Sequence, residues 1–142
     1  MIVQENTQLI RVSQYEQKWI NGLNSGDVTT ADEAFMPDCV IHINGGAQKD
    51  LSLDQFKLMV AGLLAAFPDL HFTIEDHFVV SDKSATRWRA EGTNTGPFGE
   101  IKATGKRMQI EGLIVDHIVN GKVAERWELW DQMSMLQQLG LM

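Results

Sequence analysis

The stretch KRMQIEGLIVDHIVNGKVAERWELWD, Lys106 to Asp131, decides the fold of this 142-residue chain. At its centre stands Val119-Asn120-Gly121-Lys122. A two-residue type I′ turn needs positive φ at both central positions, and Asn-Gly adopts that geometry at little cost. The flanks are rich in β-branched and aromatic residues, so the stretch reads as one long antiparallel hairpin. With a two-residue loop, Ile118 pairs with Val123, Asp116 with Glu125, Ile114 with Trp127 and Ile110 with Asp131. One face then carries Met108, Ile110, Ile114, Ile118, Val123, Trp127 and Leu129, with Asp116, Glu125 and Asp131 as its acids. This is the expected inner wall of an apolar pocket. The other face carries Gln109, Glu111, Leu113, Val115, His117, Arg126, Glu128 and Trp130, and suits solvent or another subunit. A single β-bulge reverses every residue beyond it, and bulges are common where curved sheets line sites.

Outward from the hairpin, the N-terminal half reads as helical. Leu9, Val12, Tyr15, Trp19 and Leu23, widened by Ile20, form one apolar stripe that predicts a first helix stopping near Gly26. Thr30-Ala-Asp-Glu33 has the form of a capping box opening a short helix that Pro37 ends. Cys39 to Ile43 is a short predicted strand. Ser52-Leu-Asp-Gln55 is a second capping box, starting a helix with Phe56, Met59, Val60, Leu63, Leu64 and Phe67 on its apolar side. After Phe67-Pro68-Asp69 the pattern changes to alternation. Phe72, Ile74, Phe78 and Val80 share one face, and His71, Thr73, Glu75 and His77 the other. Ser84 to Glu91 is a further strand, residues 92–105 are a Gly- and Thr-rich loop, and the chain closes on an amphipathic tail with Met135, Leu136 and Leu139. Helices first and consecutive strands afterwards favour an α+β domain over a βαβ layout, and the whole chain is expected to form one domain.

Composition narrows the function. A formal net charge of −7 argues against a nucleic-acid partner, which needs a basic face. Cys39 is the single cysteine, so neither an internal disulfide nor a thiolate metal cluster is expected. The N-terminus lacks the basic-then-apolar order of a signal peptide, and no apolar run approaches membrane-spanning length. A cytoplasmic protein without a membrane partner is the expectation.

Several short runs together resemble a known family: Phe67-Pro68-Asp69-Leu70, Gly92-Thr93-Asn94-Thr95-Gly96, Thr104-Gly105-Lys106, Asn120 to Trp127, and Asp131 through Gln138-Leu139-Gly140. Their order and spacing resemble the SnoaL-like polyketide cyclases of the nuclear transport factor 2-like superfamily, from about Leu9 to Gly140. The resemblance implies a cone-shaped α+β barrel, a curved mixed or antiparallel sheet wrapped around N-terminal helices, enclosing a largely apolar cavity. It also implies a homodimer or homotetramer. Superfamily members include cyclases, isomerases, epoxide hydrolases and non-catalytic binding modules, so fold does not decide function. The family's cyclases close a ring by intramolecular aldol condensation, using a carboxylate on the last strand and neither metal nor cofactor. Aligned on the Asn120-Gly121-Lys122 turn, that carboxylate falls at Glu128. The family's supporting histidine and glutamine fall at Ile114 and Gly112, and its asparagine at Ile41, one residue before His42.

The candidate catalytic residues are therefore Glu128, Asp131 and His42. Glu128 has the family position but, by strict alternation, the outer face. Asp131 ends the inner face and also suits the N-cap of the tail helix. His42 alternates with Val40 and Asn44 and suits a base or hydrogen-bond donor. Asp116 and Glu125, as cross-strand neighbours, are a carboxyl pair of which one member would be raised in pKa. Tyr15 suits an oxyanion donor, and Trp19, Phe56, Val60, Ile114 and Trp127 suit the wall of a ligand pocket. Arg87 and Arg89 share one strand face and, turned inward between two acids, would suit epoxide opening. The expected function is binding of a small apolar or aromatic carbonyl compound, with cofactor-free cyclisation as the named chemistry. An epoxide hydrolase or isomerase, or a non-catalytic ligand-binding module, is the alternative.

Overall fold

The computed structural model describes residues 2–5, 8–46 and 49–142. The elements run β1 (Ile2–Glu5), β2 (Gln8–Arg11), α1 (Gln14–Ser25), a 3-10 turn (Val28–Thr30), α2 (Ala31–Ala34) and β3 (Phe35–Ile43). They continue through α3 (Leu53–Ala66), β4 (His71–Val80), β5 (Lys83–Thr93), β6 (Arg107–Val119), β7 (Lys122–Trp130) and α4 (Gln132–Gln138). β1 and β2 pair with each other. The other five strands form one curved, open sheet in the order β3-β7-β6-β5-β4, parallel only where β3 meets β7. Residues of α1 and α3 pack with the inner sheet face into two buried apolar clusters. The α+β architecture expected from the hairpin and the family motifs is the one observed.

Local chemistry accounts for most element boundaries. Ser52 and Gln55 form the anticipated capping box, each side chain bonding the other's backbone N–H. Gly26 ends α1 in the left-handed region at φ 77°. The helix starts later than its apolar stripe suggested, because Gln8–Arg11 belongs to β2. Thr30 does not act as a capping-box residue: its hydroxyl donates to the Asp27 carbonyl, while Asp27 caps the preceding 3-10 turn through the Thr29 N–H. Pro37 lies inside β3, which begins four residues earlier than expected.

The turn forms as its sequence demands, with φ 53° at Asn120 and 78° at Gly121. Beyond it the register departs from strict alternation. Ile118 pairs with Val123 but His117 pairs with Glu125, so Ala124 is an extra residue in β7. That bulge turns the rest of the strand over. Asp116 now stands opposite Arg126, Ile114 opposite Glu128 and Gly112 opposite Trp130. Trp127 and Leu129, expected inside, are 41% and 55% exposed on the outer face, whereas Arg126 is 1% exposed. Strand β4 carries a second bulge between Ile74 and Asp76. It turns His77 inward, to 9% exposure, and puts Phe78 and Val80 outside, the reverse of the expected faces.

Candidate functional site

Between α1, α3 and the inner sheet face lies a cavity of about 60 Å³, walled mainly by apolar side chains. Trp19 from α1, Phe56 and Val60 from α3, and Ile114 from β6 are in that wall, as the sequence suggested. Its polar residues are few, Glu16, Arg126 and Glu128, and the indole of Trp88 is also part of the wall. The bulge at Ala124 is what aims Arg126 and Glu128 at this space.

Arg126 organises the polar end. Its Nε donates to Asp116 Oδ1 at 2.8 Å and its Nη2 to Asp116 Oδ2 at 2.9 Å, a bidentate grip. The same Nη2 donates to Glu16 Oε2 at 2.9 Å, and the guanidinium lies 4.7 Å from the Phe35 ring centre. Burial opposes the Arg126 charge, but Asp116 and Glu16 more than offset this and hold its pKa well above the ordinary value. Behind Asp116, the Tyr15 hydroxyl donates to Oδ2 at 2.8 Å and bonds Ser84 Oγ at 2.5 Å. Tyr15 is raised by burial and by the charges of Glu16 and Asp116, so it stays a neutral donor. It supports the carboxylate and does not face the cavity.

The two cavity carboxyls differ from ordinary glutamates. Burial pushes Glu128 up to about 7; Arg126 pulls against this, while Glu16 and Asp116 add to it. Glu16 is likewise pushed up to about 7 by burial, against Arg126 and with Asp116. Its Oε1 has no hydrogen-bond partner among the described residues. A carboxyl group half protonated near neutral pH can both give and take a proton.

The remaining candidates lie elsewhere. Asp131 caps α4, accepting from the Ser134 N–H at 3.0 Å, and is exposed. His42 Nε2 bonds Glu125 Oε2 at 2.6 Å and its Nδ1 bonds Asp50 Oδ1 at 2.7 Å, while its ring stacks on Trp127. Those two carboxylates raise its pKa. His42, Glu125 and Trp127 thus form an outer cluster on β3 and β7, away from the cavity, and Glu125 is not paired with Asp116. Arg87 and Arg89 are held by Asp76 and Glu75. Neither reaches the cavity.

Sequence reading missed Glu16 and Arg126 as cavity residues, whereas Trp88 is one of the tryptophans that suit a cavity wall. For Glu16 a signal existed: it precedes Trp19 by three and Ile20 by four positions, which places it within the helix's apolar stripe. For Arg126 none existed without the bulge. Trp88 shares a strand face with Ser84, Thr86 and Ala90, opposite Arg87 and Arg89, so alternation alone places it inward.

Among the described residues no cluster of three or more His, Cys, Asp or Glu side chains is arranged to hold a metal. Nor is any described helix long and apolar enough to cross a membrane.

No curated protein sequence matches the chain. Solved structures do. IdmH from Streptomyces antibioticus, a candidate polyketide cyclase, is 29% identical, superposes with a TM-score of 0.78, and the match covers 89% of this chain and 96% of that one. AclR from Streptomyces galilaeus, a candidate hydroxylase, is 24% identical at a TM-score of 0.80, covering 90% and 83%. TsrD from Streptomyces laurentii is 23% identical at 0.78, covering 91% and 94%; at that identity it shares the fold alone. The family model for SnoaL-like polyketide cyclases matches residues 12–139, nearly the whole chain, and the chain belongs to that family.

Proposed function

We propose that this protein binds a small apolar or aromatic carbonyl compound and closes a ring by aldol addition without a cofactor, with Glu128 as the proton carrier. The observation that supports this best is a carboxyl group in an apolar cavity whose pKa stands at about 7. In its ionised form Glu128 takes a proton from the carbon beside a ligand carbonyl, leaving an enolate. The enolate carbon bonds to a second carbonyl carbon of the same molecule. The alkoxide that results takes the proton back from Glu128, so acid and base are one residue and the enzyme ends as it began. Arg126 stays protonated throughout and limits the build-up of negative charge beside Glu16 and Glu128.

Glu128→Gln keeps the size of the side chain and removes its proton transfer. Turnover of a di- or polyketone is expected to fall by roughly 10²- to 10⁴-fold with ligand binding retained. Unchanged turnover in Glu128→Gln would sink the assignment, and binding without turnover by the wild type across a panel of carbonyl and epoxide compounds would make the protein a ligand carrier.

A second reading has one specific support. Glu16, Arg126 and Asp116 form an acid–guanidinium–acid trio. Arg87 and Arg89 do not reach the cavity and so do not supply this arrangement; the arginine of the trio is Arg126. Epoxides in the same substrate panel, run in ¹⁸O-labelled water, distinguish this reading by labelled diol.

We further propose a homo-oligomer joined through the outer sheet face. Cross-strand pairs Leu113–Leu129 and Val115–Trp127 leave four large apolar side chains there, each more than 40% exposed. Trp127→Glu is expected to yield monomers in sedimentation equilibrium; a wild-type monomer at micromolar concentration would refute the proposal.

A further inference from the structure

Gly112 sits in the middle of β6, where a glycine ordinarily weakens a strand and often marks a close approach. No left-handed backbone requires it, since its φ is not among the positive ones. The reason lies across the ladder. Trp88 of β5 is the register partner of Gly112, and a Cβ at 112 would run into the indole at Cζ2, Cε2 and Nε1. The indole therefore lies over the backbone at 112 and takes the space that a side chain there would occupy. This is the position at which the family resemblance places a glutamine.

Trp88 is 4% exposed and lines the cavity. Its N–H is near enough to Glu128 to favour the charged carboxylate. Even so, no acceptor stands in hydrogen-bonding geometry to it among the described residues. Buried tryptophan N–H groups usually find an acceptor, because leaving one unpaired is costly. An unpaired donor on a wall residue of an apolar cavity, beside an acid/base carboxyl, is suited to a carbonyl oxygen, whose charge grows as the neighbouring carbon loses its proton.

We propose that the Trp88 indole N–H is the donor that holds the ligand's carbonyl oxygen, in place of a side chain at position 112. This rests on the reading of the cavity as a carbonyl-ligand site, but not on Glu128 being the proton carrier. It makes Trp88 a specificity-determining residue that favours carbonyl compounds over hydrocarbons of the same shape.

The test uses acetophenone and ethylbenzene, which differ by that oxygen. In protein labelled with ¹⁵N at tryptophan, the four indole N–H signals are followed during titration, with Trp88→Phe identifying the signal of interest. Acetophenone is expected to shift the Trp88 signal downfield and ethylbenzene to leave it near its free position. The ratio of acetophenone to ethylbenzene affinity should fall roughly tenfold in Trp88→Phe. Gly112→Ala, which puts a methyl group where the indole lies, should lower the same ratio with Trp88 still present. Acetophenone bound with the Trp88 signal unmoved, or an affinity ratio unchanged in Trp88→Phe, overturns the proposal. So does a Trp88→Phe effect confined to the pH profile of Glu128, which would make the N–H a partner of that carboxylate only. If Glu128→Gln retains turnover while the affinity ratio still depends on Trp88, the subsite stands and the acid/base reading falls. Should neither compound bind, the carbonyl-site reading falls together with the subsite. If Trp88→Phe does not fold, the affinity ratio in Gly112→Ala decides, and an unchanged ratio overturns the proposal.

Discussion

At the scale of single residues, Arg126 has the largest structural consequence. It is 1% exposed and bonds two acids that are themselves fully buried. Removing one member of such a group leaves an uncompensated charge in a low-dielectric interior. Arg126→Met is therefore expected to cost about 3–5 kcal/mol in urea unfolding. Arg126→Met combined with Asp116→Asn should recover part of that loss, since the second change removes one of the stranded charges. A double variant no more stable than the single one would show that geometry, not charge, is what Arg126 supplies. Glu128 is different: it makes no ion pair among the described residues, and its environment disfavours its charge.

At the scale of elements, the family motifs prove to be devices for joining strands and loops. Asp69 accepts from the Thr93 N–H at 2.7 Å and from its hydroxyl at 2.9 Å, tying the end of α3 to the end of β5. The buried Asn94 bonds the Ala66 and Gly96 carbonyls and accepts from both the N–H and the hydroxyl of Thr104. These groups explain why the motifs identify a fold while saying little about a reaction. Asp131 belongs with them. Asp131→Ala should destabilise the protein by about 1 kcal/mol through the lost cap and leave kcat unchanged. A large fall in kcat with an intact thermal transition would return Asp131 to the catalytic candidates.

At the scale of the whole molecule, the raised carboxyls couple stability to pH. Glu16 and Glu128 stand at about 7 in the folded protein against an ordinary 4.5. Between those values the folded state keeps protons that the unfolded chain releases. The stabilisation is full below about pH 4.5 and is lost as pH rises through about 7. His42, raised by its carboxylates, acts in the same direction, and His77, lowered by burial, in the opposite one. The readout is thus the difference between proteins. From pH 5 to pH 8 the wild type should lose on the order of 1–3 kcal/mol more stability than Glu128→Gln. Parallel pH profiles for the two proteins would place the Glu128 pKa near its ordinary value and remove the main support for its proposed role.

The sequence by itself determined the secondary-structure order from the first helix onward, the Asn120-Gly121 turn, the Ser52–Gln55 capping box, the apolar wall formed by Trp19, Phe56, Val60 and Ile114, and the family. Each depends on interactions within a few residues or on a period that burial imposes, so each is written locally. Tertiary structure alone decided which side of β7 faces the cavity. One extra residue, Ala124, reverses Arg126 through Trp130, and no local preference at Ala124 announces it. A bulge is selected by strand pairing and sheet curvature, which involve β3 and β6 together with the helices beneath them. The hairpin was thus legible as a hairpin. Its chemistry depended on a register that distant strands impose, and that register brought Glu128 to the cavity and took Trp127 and Glu125 away from it.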